Sequence, residues 1–179
     1  MEKVEGWDGR EFAPLYKDLL FIFADGSIAG QREDNATGGI GVVLANEEAV
    51  LHKFSKCYKG PTRVMCPTQV TNNRMELRAI IEGLKNFVQD YEDPGSYRIM
   101  VVSDSAYAIN SAKDYLIKWQ KNGWQTREGK PVKNQDLWKE LIKLLEHQCC
   151  PEVIWQHCRG HQGIPLNELA DKLAQSEVR

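Results

Sequence analysis

Residues 72–104, NNRMELRAIIEGLKNFVQDYEDPGSYRIMVVSD, carry two periodicities in succession. Leu77, Ile80, Ile81, Leu84, Phe87 and Val88 recur at helical spacing, so a helix with one apolar face is expected over 72–89. The apolar run 99–103 then reads as part of a strand over 97–103. Before this stretch, residues 19–25, 39–45 and 49–58 read as three successive strands, separated by a polar loop at 30–39 and joined to the helix by a second loop at 59–70. After it, 105–145 is mostly helical with breaks at Asn122-Gly123 and Gly129-Lys130-Pro131, 152–157 reads as a strand, and 166–176 as a last helix. Asn134 precedes the amphipathic run Leu137, Trp138, Leu141, Ile142, Leu145 and is expected to cap that helix. Three consecutive strands followed by alternating helices and strands imply an α/β fold, a mixed sheet covered by helices.

Four acidic residues stand where a soluble protein does not usually place them. Asp25 and Asp104 each end an apolar run and precede a small-residue turn, DGS and DSA, so each carboxylate is expected to project from a strand's C-terminal end. Glu76 shares a helical stripe with Ile80, Gly83 and Phe87 at the edge of the core face, where an unpaired anion is costly. Asp171 opens the last helix. Taken singly, Asp25 and Asp104 are turn formers or helix caps and Asp171 is a solvated helix residue. Taken together, two strand ends and two helices need four separate excuses. A shared metal ion, or a proton shared between carboxyls, meets the cost for all.

The 179 residues, 42% apolar and 27% charged, fit one globular domain. A net charge of -2 does not mark a nucleic-acid binder, so any such function rests on a local patch. Residues 113–133 provide one, with Lys113, Lys118, Lys121, Arg127, Lys130 and Lys133 against Asp114 and Glu128. Trp119 and Trp124 interleave with these lysines, as suits rings on sugar and cations on phosphate. Tryptophans turned to the core beneath a solvated helix suit the pattern equally. Five cysteines without a C-x-x-C pair argue against a structural zinc site or a disulfide framework and for reduced thiols. His157 and Cys158 are neighbours in a strand and point to opposite faces. Residues 1–18 lack signal-peptide character and read as an N-terminal extension that packs locally through Trp7, Phe12 and Tyr16. No apolar run reaches the length of a membrane span, and a cytoplasmic location is expected.

The order of motifs is DGS after a strand, TNNRMEL opening a helix, SDS after another strand, a Trp-Lys-rich helix pair, and RGHQGIPLNELADKLA. It closely resembles the type 1 ribonuclease H family over about residues 19–174. The resemblance implies a ribonuclease H-like five-stranded mixed sheet, three antiparallel strands then parallel ones, flanked by helices. Residues 19–179 would form the catalytic domain, with 113–133 as its basic protrusion. The implied activity is endonucleolytic cleavage of the RNA strand of RNA/DNA hybrids with little sequence preference, by a monomer.

The family's acidic tetrad falls on Asp25, Glu76, Asp104 and Asp171. By that likeness Asp25 bridges two magnesium ions, which manganese can replace. Asp171 then helps hold the ion that activates water, and Glu76 and Asp104 the one at the leaving group. Two cations about 4 Å apart clamp the attacking and leaving oxygens of an in-line displacement. His161, ten residues before Asp171, matches a mobile-loop histidine that shuttles protons or assists product release. Thr71 and Asn134 match positions that grip a DNA-strand phosphate, and Asn72 and Asn73 match a minor-groove segment that reads shape and 2'-hydroxyls. Trp119, Lys121 and Trp124 match the protrusion.

Ala24, Gln31 and Gln69 depart from the family's usual residues, and the loop at 60–70 is longer, with Arg63 a candidate to replace a missing charge. Two other readings compete. A hybrid-binding module without turnover has no reason to keep four costly acids, and a DNA-acting integrase or transposase domain should lack Thr71-Asn72-Asn73 and the Trp-Lys protrusion.

Overall fold

The computed structural model describes residues 1–30, 35–63, 66–160 and 162–179. Its strands are β1 (Leu19–Ala29), β2 (Ala36–Ala45), β3 (Val50–Gly60), β4 (Arg98–Ser103) and β5 (Glu152–His157), in one sheet of order β3-β2-β1-β4-β5. The pairs β1–β2 and β2–β3 are antiparallel, while β1–β4 and β4–β5 are parallel, which is the mixed sheet expected. The helices are α1 (Gly9–Phe12), α2 (Asn72–Asp90), α3 (Ala106–Asn110), α4 (Leu116–Lys121), α5 (Gln135–Leu145) and α6 (Pro165–Ser176). A π turn at Ser111–Tyr115 joins α3 to α4.

The pleat of the sheet sorts its side chains into two cores. Leu20, Ile22 and Ala24 of β1 join Ile40, Val42 and Leu44 of β2 under the apolar face of α2 and α5. Leu19, Phe21 and Phe23 face the other way, against Leu166 and Ala170 of α6. Residues 1–18 close this second face. Trp7 stands edge-on to Phe21 at 5.2 Å and Phe23 at 5.4 Å, and its indole N–H donates to the Asn46 carbonyl at 3.0 Å.

Two boundaries differ from expectation for one reason. Strand β1 does not end at Asp25, because β2 goes on pairing with it from Gly26–Ile40 to Ala29–Thr37. The same pairing draws residues 36–39, expected in a loop, into β2. What stops at the acid is the other edge, since the β1–β4 ladder closes at Phe23–Val102. Asp25 therefore lies within a strand, at the point where its parallel neighbour leaves the sheet.

Candidate active site

The β1–β4 register sets Asp25 against Asp104. Phe23 pairs with Val102, and each aspartate follows two residues later on its strand, so both carboxylates leave the sheet at one level. Helix α2 brings Glu76 to the same place. Thr71 caps that helix by accepting from the Arg74 N–H, and the buried face Leu77, Ile80, Ile81, Leu84, Phe87 seats it on the sheet. Gly26 lets α2 come close enough, because a β-carbon there would overlap the Glu76 nitrogen. Gly41, paired with Asp25, does the same for α6, where a β-carbon would overlap the Ala170 carbonyl oxygen. Asp171 is the next residue along α6.

Asp25, Glu76 and Asp104 offer carboxylate oxygens within 4.8 Å of one another, the one such group of potential metal ligands among the described residues. Asp171 stands to one side, next to Asp25, with its Oδ1 accepting from Gln175 Nε2 at 2.7 Å. Burial, then the charges of Asp104 and Asp171, push the Asp25 carboxyl up to about 8. Burial, then Asp25 and Asp104, also push Glu76 well above the usual carboxylate range, against the pull of the Gly26 N–H. Glu76 Oε2 is buried without a hydrogen-bond partner. An orphaned acceptor beside two further carboxylates is a donor set for a hard divalent cation, which would satisfy Oε2 and cancel the repulsion. The four acids read from the sequence thus gather at one site.

Two neighbours of the cluster have local roles of their own. His157 Nε2 lies 3.1 Å from the Asp104 carbonyl oxygen, bracing the end of β4 from β5. The Cys158 thiol donates to Asn167 Oδ1 at 3.4 Å, and burial followed by the charge of Asp104 pushes it up to about 12, so it is held as a neutral thiol. His161 and Gln31 lie outside the described residues.

At the start of α2, Thr71, Asn72, Asn73 and Asn134 line one pocket of about 390 Å³ together with Gln69 and Lys133. The structure brings together the four residues matched to the phosphate grip and the minor groove, and adds Lys133. Asn134 does not cap α5 with its side chain, contrary to expectation. It takes a left-handed φ of 59°, and its amide bonds instead to Arg74 and Tyr107. Sequence reasoning passed over Arg74, since an arginine in a first helical turn normally faces water. Arg63 lies in an adjoining pocket with Thr71 and Asn72.

The protrusion divides its residues between two tasks. Lys113, Lys118, Lys121, Arg127, Lys130 and Lys133 are exposed, and none forms an ion pair among the described residues. Trp119 and Trp124 are half-buried rather than the exposed rings of the backbone-contact reading. Trp119 packs edge-on to Trp138 at 5.7 Å, with Tyr115 stacked on it, and Lys139 covers Trp124 at 5.3 Å. The tryptophans root the protrusion in the core, and the lysines present charge.

A family model described as RNase H matches residues 17–179. A ribonuclease H of Actinobacillus succinogenes is 40% identical over 157 residues, 86% of each chain. One from Thermoanaerobacter sp. is 35% identical over 165 residues, 90% of this chain and 91% of its own. Among solved structures, the RNase H domain of prototype foamy virus superposes with a TM-score of 0.68 and 26% identity, covering 89% of this chain and 93% of that one. The likeness extends over the sheet and every element that carries one of the four acids, and on that ground the chain belongs to the ribonuclease H family.

Proposed function

We propose that this protein hydrolyses the RNA strand of RNA/DNA hybrids, with Asp25, Glu76, Asp104 and Asp171 holding two magnesium ions. The observation that carries the reading is the buried, unpartnered Glu76 Oε2 beside Asp25 and Asp104, an arrangement costly without a cation. Bound there, the ions would activate water and stabilise charge on the attacking and leaving oxygens. Asp25 would help hold both, Asp171 would help hold the one that activates water, and Glu76 with Asp104 would help hold the one that serves the leaving group. Manganese replaces magnesium, because the donor set is all oxygen.

The remaining residues bind and orient. Thr71, Asn134 and Lys133 hold a backbone phosphate, Asn72 and Asn73 meet the groove, and the protrusion lysines neutralise further phosphates. His161 moves a proton or eases product departure. The enzyme acts as a cytoplasmic monomer. No helix among the described residues is long and apolar enough to cross a membrane.

The test is incubation with labelled RNA/DNA, RNA/RNA and DNA/DNA duplexes in magnesium, with Asp25→Asn as control. Cleavage confined to the RNA of the hybrid, lost in Asp25→Asn and in EDTA, is expected. Equal cleavage of DNA/DNA, or cleavage that survives EDTA, overturns the reading.

A further inference from the structure

We propose that Arg74 is a positioning residue: it fixes the polarity of the pocket between α2 and α5, so that this pocket accepts an anionic group of a nucleic-acid backbone. The inference rests on the hybrid reading above and concerns how this chain builds its grip.

Arg74 is 3% exposed, and its guanidinium uses every N–H it has. Nε donates to the Gln69 carbonyl at 3.0 Å. Nη1 donates to Asp136 Oδ1 at 2.8 Å and to Asn134 Oδ1 at 3.3 Å. Nη2 donates to Asp136 Oδ2 at 2.5 Å and to the Pro67 carbonyl at 3.0 Å. One side chain thereby joins the loop before α2, α2 itself and the start of α5, which are the walls of the pocket.

A guanidinium has no acceptor, so whatever faces it must be one. Asn134 accordingly turns its oxygen to Arg74 and its Nδ2 away. One Nδ2 hydrogen goes to the Tyr107 hydroxyl at 3.0 Å, a group held on its other side by the Trp138 indole N–H. The second hydrogen is available to the pocket. Thr71 is committed in the same sense: its oxygen accepts from the Arg74 backbone N–H at 3.4 Å, leaving its own proton to donate. Lys133 adds a positive charge.

Arg74 contributes no net charge, because Asp136 is paired with it and is held below the usual carboxylate range by that bond. Its contribution is orientation. A lysine at this position would keep the ion pair with Asp136 but lose the planar fork that forces the amide.

Two variants test this against a merely structural ion pair. Arg74→Lys should raise KM for the hybrid about tenfold, the order for one charge-assisted hydrogen bond to phosphate, with kcat within about twofold. Asn134→Asp keeps an oxygen for Arg74 and so keeps the fold, but turns an acceptor and a negative charge into the pocket. Its affinity for a labelled hybrid in EDTA should fall at least about tenfold. A KM unchanged in Arg74→Lys, even with a lowered Tm, overturns the proposal. So does parental hybrid affinity in Asn134→Asp, which keeps the idea open to refutation if Arg74→Lys does not fold. A parent that binds the hybrid without cutting it would sink the proposed activity and leave this inference to the Asn134→Asp result.

Discussion

Gly26 and Glu76 touch so closely that a β-carbon on the glycine would overlap the Glu76 nitrogen and come within 2.5 Å of the Met75 carbonyl carbon. The obstacle is helix backbone and cannot swing aside, so Gly26→Ala must push α2 off the sheet. A stability loss of about 1–3 kcal/mol is expected from overpacking. Activity should fall much further, by about 100-fold or more, since a 1 Å displacement of one carboxylate spoils the cluster. Thermal melting and cleavage rate at saturating magnesium separate the two effects. Near-parental activity would show that Glu76's placement is not needed.

The raised carboxyls make the metal-free protein sensitive to alkali. The folded value of Asp25, about 8, lies above the unfolded one near 4, so the folded state holds this proton more tightly. The stability it contributes is full below about pH 4 and is lost as pH rises through about 8. Glu76 shifts in the same direction. Denaturant titrations in EDTA should therefore show stability falling across the Asp25 window, by up to about 1.4 kcal/mol per pH unit for that group. Asp25→Asn should flatten the fall, and magnesium should abolish it. A metal-free stability that rises over this window would contradict the account.

The protrusion's two tasks should come apart under mutation. Replacing Lys118, Lys121 and Lys130 by alanine should leave Tm unchanged, raise KM more than it lowers kcat, and reduce the slope of log affinity against log salt by roughly 2 to 3. Trp119→Ala should instead cost about 3 kcal/mol of stability, because its ring packs on Trp138. A triple-lysine variant with the parent's salt slope would reduce the protrusion to a solvated helix pair.

For His161 the expected outcome is partial. His161→Ala should slow turnover about 100-fold or more while leaving it measurable, since water can bypass a proton shuttle. Activity as low as that of Asp25→Asn would mean that the histidine does something no water replaces.

Where a pattern depended on neighbours along the chain, the sequence disclosed it. The 3.6-residue stripe from Leu77 to Phe87 forecast α2, and the run 99–103 forecast β4. Asp25, Glu76 and Asp104 were legible because strand ends and helix phase set their direction, whereas Asp171, in the middle of α6, was legible through the family's order of motifs. What escaped depended on contacts distant in sequence. Gly38 and Gly39 look like loop residues, yet they lie in β2, pressed by Met75 and by the Ala174 carbonyl of α6. Asn134 has the sequence context of a cap but is claimed by Arg74, sixty residues away. Arg74 itself, in a polar heptapeptide, gives no sign that its charge is buried against Asp136.

Kinship and folding draw different borders on this chain. The family match opens at residue 17, yet the sheet face behind Phe21 and Phe23 is roofed by Trp7, Phe12 and Ala13 from upstream. A fragment trimmed to the homologous portion would keep every acid and every substrate contact while laying bare two phenylalanines to solvent. Such a piece would be competent in chemistry but adhesive in handling, and anyone shortening this protein for the bench should cut ahead of Trp7.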